Sequence, residues 1–223
     1  MSKPYIIATN GALLRNPRGG VENVAEMKAA LGPRCWLALN LGDGHVWDDW
    51  KVVVQRARAL DVKLIPWARC RTLQECYDLL DDADLVGFRA ILNIEDEFER
   101  ADDGGPAPCP PDKVREVIDD FPGVAVSFST GAWLMNDVVY TPIAHRPVLL
   151  QLFPTDMKRD PADLPQLELD CRKHARDKGF RYIAITCQTY AGAQPSWYAY
   201  QGATPRSLYT GDDVGAGNWA AWA

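Results

Sequence analysis

The chain has 223 residues, of which 47% are hydrophobic and 24% are charged, a composition typical of a globular protein. Its formal net charge is -6 at pH 7, and no dense block of lysine and arginine occurs. The overall field would therefore repel a phosphate backbone, and we expect no nucleic-acid partner. At this length we expect a single domain over residues 1–223.

The N-terminal segment leads directly into an apolar strand, without the basic start, apolar run and cleavage site of a signal peptide. No stretch approaches the ~20 apolar residues that a membrane helix needs. These features predict synthesis in the cytoplasm and no membrane partner.

Short apolar runs alternate with amphipathic segments along the whole chain, which is the pattern of parallel strands joined by crossover helices. The predicted strands are residues 5–9, 35–41, 62–68, 87–94, 124–129, 148–153, 182–187 and 207–210.

Several of the intervening segments carry helix signals. Thr72 and Glu75 have the spacing of a capping box, and Pro111 stands where a first-turn proline belongs. An apolar stripe over residues 164–175 predicts a helix that ends at Lys178 and Gly179. The crossovers around residues 133–144 and 194–202 are less regular.

Eight strand–helix units predict an α/β protein, either a closed (β/α)8 TIM barrel or an open doubly wound sheet. The first strand runs into a turn that reads ATNGALLRNPRGG from Ala8, without the GxGxxG spacing of a dinucleotide-binding turn. This absence favours the compact, single-domain barrel.

The six cysteines form no CxxC pair, and the three histidines are scattered along the chain. We therefore expect reduced thiols that pack as small hydrophobes, with no metal site and no cofactor.

Strand alternation separates the residues that face the helices from those that face the barrel lumen. If the all-apolar faces meet the helices, a polar set converges on the C-terminal mouth, where barrel enzymes carry their active sites. The predicted mouth residues are Asn40, Trp67, Arg69, Asn93, Glu95, Ser127, Ser129, Gln151, Phe153, Thr186 and Gln188. Tyr190, in the loop after the seventh strand, is a further aromatic that could stack on a sugar ring.

The segment after the fourth strand is the most acidic in the chain, and carboxylates at strand ends are the groups with which glycoside hydrolases act. Glu95 follows the lumen-facing alternation, and we predict that it is the general acid. The alternatives for the second carboxylate are Asp43, Glu97, Asp156, Asp212 and Asp213.

The sequence Asn93-Ile94-Glu95 resembles the end of the fourth strand in the barrel muramidases of phage endolysins and bacterial lysozymes, where it reads Asp-x-Glu. The resemblance implies a glycosidase-like barrel that acts on a polysaccharide such as peptidoglycan. That family also carries an aspartate at the end of its first strand, where this chain has Thr9-Asn10-Gly11.

Two functional hypotheses follow. The first is a glycoside hydrolase with Glu95 as general acid. The second, motivated by the missing aspartates, is a catalytically inactive barrel. Such a barrel would be a structural or carbohydrate-binding component, for example a minor tail protein of a phage virion, with virion or homo-oligomeric neighbours.

Overall fold

Eight parallel strands form the framework of the protein. In the computed structural model they pair in chain order, and the last strand pairs back with the first, so that the sheet closes into a barrel. The strands are β1 (Ile6–Thr9), β2 (Trp36–Asp43), β3 (Lys63–Arg69), β4 (Ile91–Asn93), β5 (Ala125–Phe128), β6 (Val148–Leu152), β7 (Ile183–Gln188) and β8 (Ser207–Tyr209). Each lies within or overlaps one of the predicted apolar runs.

The structure describes residues 6–9, 36–43, 50–59, 61, 63–85, 89–98, 105–121, 124–128, 134, 137–152, 158, 160–188 and 207–209. The segments that join β1 to β2 (residues 10–35) and β7 to β8 (residues 189–206) lie outside these ranges. The full (β/α)8 assignment, with one helix after every strand, and the single domain over 1–223 therefore stay predictions.

Four helices are described, each following a strand. They are α1 (Trp50–Ala59) after β2, α2 (Leu73–Leu85) after β3, α3 (Pro111–Asp119) after β4, and α4 (Leu164–Asp177) after β6. Short 3-10 helices cover Asp96–Phe98 and Pro161–Asp163.

The predicted helix signals of α2, α3 and α4 are confirmed. The Glu75 backbone N–H donates to Thr72 Oγ1 at 3.2 Å, and the Thr72 N–H donates to Glu75 Oε2 at 3.1 Å, which completes the capping box. Pro111 is the first residue of α3. After α4, Gly179 adopts a φ of 97°, a left-handed conformation that glycine adopts without a Cβ clash.

The described residues 137–146 of the crossover from β5 to β6 form turns and irregular backbone. They are anchored by Tyr140, which is 1% exposed. The Tyr140 ring contacts Phe98 edge-on at 5.4 Å between centroids and Phe180 at 5.8 Å. One aromatic side chain thus holds this crossover between the segment after β4 and the end of α4.

The core has a helix-facing layer and a lumen layer. Along β3, Leu64, Pro66 and Ala68 are buried, whereas the residues between them are half-buried, as expected for strand alternation. In the lumen, Ile91 of β4 and Leu149 of β6 pack together with Ile65, Trp67 and Ala184. Among the described helices, none combines the length and the apolar character needed to cross a membrane.

Candidate functional site

A row of polar residues crosses four neighbouring strands near the C-terminal end of the barrel. The backbone register aligns Asp43 of β2 with Arg69 of β3, Arg69 with Asn93 of β4, and Asn93 with Ser127 of β5. Residues in register on parallel strands share one face of the sheet, so these positions belong to one layer above the apolar lumen cluster.

A register shift in β2 brings Asp43 into this row. Asn40 pairs with Trp67, but the next pairs are Gly42 with Ala68 and Asp43 with Arg69, so β2 holds one extra residue between them. Strict alternation would place Asp43 and Asn40 in opposite sets. A bulge of this kind re-aims the following residue, and the register consequently groups Asp43 with Arg69.

Asn93 connects two strands across the lumen with its side-chain amide. Its Nδ2 donates to Glu95 Oε1 at 2.9 Å, and its Oδ1 accepts from Gln151 Nε2 of β6 at 3.4 Å. The Asn93 carbonyl accepts the Cys70 N–H at 2.9 Å, which continues the pairing of β3 and β4. Asn93 is 5% exposed, so its amide is held in one orientation by partners on both sides.

Arg69 bridges the two carboxylates that follow β4. Its Nε and Nη2 donate to Glu97 Oε1 at 3.3 and 3.0 Å, and its Nη1 lies 3.4 Å from Glu95 Oε2. Glu97 Oε2 accepts the backbone N–H of Glu95 at 2.9 Å. Both oxygens of Glu97 are therefore engaged by the protein.

The burial of these groups makes the ion pairing important. The Glu95 and Glu97 side chains are 10% and 9% exposed, whereas the Arg69 side chain is 32% exposed. Removing a carboxylate from water is unfavourable unless a countercharge and hydrogen bonds replace the water. Among the described residues, the two carboxylates share one guanidinium and form a buried site rich in acidic groups.

The other predicted site residues fall into three groups. Trp67 packs in the apolar lumen cluster, one layer below Arg69, and Asn40 lies beside it in register. Gln188 ends β7 and pairs in register with Tyr209 of β8. Six predicted positions lie outside the described residues, namely Ser129, Phe153, Asp156, Tyr190, Asp212 and Asp213.

Sequence reasoning missed a chain of buried thiols behind this site. Cys70, Cys76 and Cys109 are free and fully buried, and Cys70 Sγ donates to the Ala68 carbonyl at 3.7 Å. The Cys109 backbone N–H donates to the Glu97 carbonyl at 2.9 Å, which ties the thiols to the acidic site. The sequence gave no signal of this cluster, because the cysteines have no CxxC spacing and the three thiols meet only in the folded chain.

The pKa values of Cys76 and Cys109 are raised, which keeps these two thiols neutral. A hydrogen bond to Cys76 and burial raise the pKa of Cys109 far above its ordinary value. The hydrogen bond from Cys109 lowers the pKa of Cys76, but the hydrogen bond to Cys70 and burial outweigh it, so that this pKa is also raised. Among the described residues no cluster of histidine, cysteine or carboxylate groups is arranged to hold a metal ion.

No family model matches the chain, and no curated protein matches it. Among solved structures it is similar to one described as the crystal structure of NADH-dependent reductase A1-R' complexed with NAD. The two share 14% sequence identity over 96% of this chain and 97% of that chain, with a TM-score of 0.30. At this level of similarity, neither the fold nor the activity of the reductase transfers to this chain.

Proposed function

We propose that this chain is a glycosidase-like (β/α)8 barrel whose C-terminal mouth binds, and acts on, a polysaccharide such as peptidoglycan. The observation that carries the proposal is the hydrogen-bonded group of Arg69, Asn93 and Glu95 at the ends of β3 and β4. Closed α/β barrels carry their active sites at this end. Planar guanidinium, amide and carboxylate groups also supply the donors and acceptors that sugar hydroxyl groups need.

The two carboxylates have different capacities for a ligand. Glu97 accepts two guanidinium hydrogen bonds and one backbone hydrogen bond, which suits a residue that positions Arg69 and Glu95. Glu95 accepts one short hydrogen bond from Asn93, and its contact with Arg69 is longer, at 3.4 Å. A carboxylate has about four acceptor positions, so Glu95 is the better group to contact a substrate.

Asp43 is the second carboxylate that we propose for hydrolysis. The Asp43 backbone on β2 lies in register with Arg69 on β3. The strand β3 in turn pairs with β4, which leads towards Glu95. Glycoside hydrolases need their carboxylates ~5 Å apart for retention or roughly 6.5 to 9.5 Å apart for inversion. A pair formed across β2 and β4 would leave Glu97 as a positioning residue.

The test measures binding and hydrolysis separately, with peptidoglycan and simple polysaccharides as probes. Wild type, Glu95→Gln and Asp43→Asn are compared for release of reducing ends and for retention on the insoluble polymer. The matched control is Glu116→Gln, which alters an exposed carboxylate of α3. Hydrolysis that both site variants abolish supports the enzyme. The proposal fails if no polysaccharide is bound or cleaved by wild type.

A catalytically inactive barrel is the second candidate, and the amide of Asn93 favours it. In the muramidases that the chain resembles, this position carries a carboxylate, whereas Asn93 here donates to Glu95. Polysaccharide binding that is lost in Glu95→Gln, without hydrolysis by wild type, would select this candidate. In that case we expect Asn93→Asp, which restores the second carboxylate, to be the variant that gains hydrolysis.

A further inference from the structure

A second concave surface lies between the segment that leads from β4 into α3 and the crossover from β5 to β6. It encloses about 820 Å³, within the range of about 300 to 1,000 Å³ that is typical of small-molecule sites. Among the described residues, its lining includes Phe98, Asp112, Asp137, Val138, Val139 and Pro142. We call it the crossover cleft.

The walls of the crossover cleft are held in place from behind. Phe98 and Val138 are 2% and 9% exposed, and Phe98 packs edge-on against the buried Tyr140. Lys178 of the turn after α4 donates to the Val138 carbonyl at 3.3 Å. Val139, in contrast, is 69% exposed, so an apolar side chain is presented to solvent at the edge of an anchored cleft.

Two carboxylates accompany these apolar walls. Asp112 lies in the first turn of α3 and Asp137 in the crossover, and both are exposed. Within the described part of the chain, neither carboxylate takes part in an ion pair or a side-chain hydrogen bond. Lys113, which follows Asp112, pairs with Glu116 at 2.7 Å. Among the described residues, the cleft therefore combines apolar surface with two carboxylates that form no ion pair, although Asp112 interacts electrostatically with the neighbouring Lys113.

We propose that the crossover cleft binds an organic cation, with its hydrocarbon body against the exposed surface of Val139 and Pro142 and its ammonium or guanidinium group facing Asp112 and Asp137. Burial of a hydrocarbon body supplies the non-directional part of the affinity. The two carboxylates favour a cation over a neutral or anionic molecule of the same shape. The inference does not depend on the function of the barrel mouth, because Glu97 contacts Arg69 whereas the next residue, Phe98, lines the cleft.

The probes are two cations and one neutral control. Hexamethylenediamine represents a free aliphatic amine, a capped Leu-Lys-Leu tripeptide represents a lysine side chain of a protein partner, and hexanediol has the same chain without charge. Methyl-labelled valine spectra follow the titrations. We expect saturable shifts of Val138 and Val139 with a cation, whereas Val117, buried on α3, stays unchanged.

Charge variants test the role of the carboxylates. The double variant Asp112→Asn with Asp137→Asn should weaken cation binding about tenfold, the effect of two partly exposed ion pairs. The matched control replaces Asp120 and Asp177 with asparagine, which removes the same charge from exposed positions outside the cleft lining. Raising the salt concentration to about 1 M should also weaken binding.

Saturable binding of either the diamine or the tripeptide supports the proposal. The probe with the lower Kd shows whether the cation is a free amine or a lysine side chain of a protein. Three outcomes would overturn it: neither cation gives saturable shifts at millimolar concentration, hexanediol binds as tightly as the diamine, or the cleft variant binds like its charge-matched control. A failure here leaves the polysaccharide assays at Glu95 unaffected.

Discussion

Two groups of buried titratable side chains lie next to each other in this barrel, and they are stabilised in opposite ways. The side chains of Glu95 and Glu97 are 10% and 9% exposed and share Arg69 as their countercharge. Immediately behind them, Cys76 and Cys109 are fully buried, and hydrogen bonds with burial raise the pKa of Cys109 so that its thiol stays neutral. A buried titratable group is stable either when its charge is paired or when it stays uncharged. Of these two groups, only the carboxylates paired with Arg69 can bind a polar ligand.

Removal of the countercharge should produce the largest effect. We expect Arg69→Met to lower the free energy of unfolding by about 3 kcal/mol, because two buried carboxylates lose their cation. The value lies at the lower end for buried pairs, since 32% of the Arg69 side chain is exposed and water reaches the site. Urea denaturation at neutral pH measures the change.

Two comparisons make this measurement specific. Arg176→Met removes an exposed arginine of α4 and should change the stability by less than about 0.5 kcal/mol. In a Glu97→Gln background, Arg69→Met should cost less than in wild type, because one carboxylate fewer is left without a partner. Equal costs for Arg69→Met and Arg176→Met would mean that the guanidinium does not compensate the carboxylates.

The strands and the lumen-facing residues of β3 were predictable because the pattern that encodes them is local. Short apolar runs mark all eight strands, and in β3 the alternation of Leu64, Pro66 and Ala68 with Ile65, Trp67 and Arg69 is visible in the sequence. The same alternation on β4 correctly sets Asn93 on the face that meets Gln151. Strand positions and faces thus follow from side-chain patterning at a period of two.

The connections within the site were not predictable, because they join distant parts of the chain. In the sequence, Glu97 lies among acidic residues of the kind found in solvated loops. In the structure its burial depends on Arg69, which lies 28 positions earlier. The bulge after Asn40 has no local marker, yet it changes the register of Asp43. A sequence pattern places residues on strands and helices, but pairing between loops and strands is decided by tertiary packing.

The buried thiols should make the protein sensitive to alkaline pH. Burial raises the pKa of Cys171 on α4 from 9.0 to about 12. The pKa of this thiol is higher in the folded chain than in the unfolded chain. Its contribution to the free energy of unfolding is therefore fully present below pH 9 and is lost as the pH rises from about 9 to about 12. Cys171→Ala should therefore reduce the loss of stability with pH by up to about 1.4 kcal/mol per pH unit.

Urea denaturation at several pH values from neutral pH up into this window, between about 9 and about 12, measures the slope. Leu167→Ala is the control, because it removes a buried, non-titrating side chain from the same helix. We expect it to lower the stability at every pH without changing the slope. A Cys171→Ala slope that equals the wild-type slope would show that this thiol does not remain protonated through its burial.

An exposed ion pair should give the smallest effect, and it separates charge pairing from burial. Asp119 accepts a hydrogen bond from Arg115 Nε at 3.1 Å, which lowers the pKa of this carboxyl from its ordinary value of 3.8. Because the pKa of Asp119 is lower in the folded chain, the ion pair stabilises the fold at pH values above the ordinary pKa. This stabilisation is lost as the pH falls through the pKa of the folded state. Asp119→Asn should thus be slightly less stable than wild type at neutral pH, and the two should converge in acid.

Asp120→Asn, at the adjacent exposed position, should show no such convergence, because in the described part of the chain Asp120 has no ion pair to lose. If the Asp119 difference approached that of Arg69→Met, pairing alone rather than pairing in a buried site would determine the stability of the mouth.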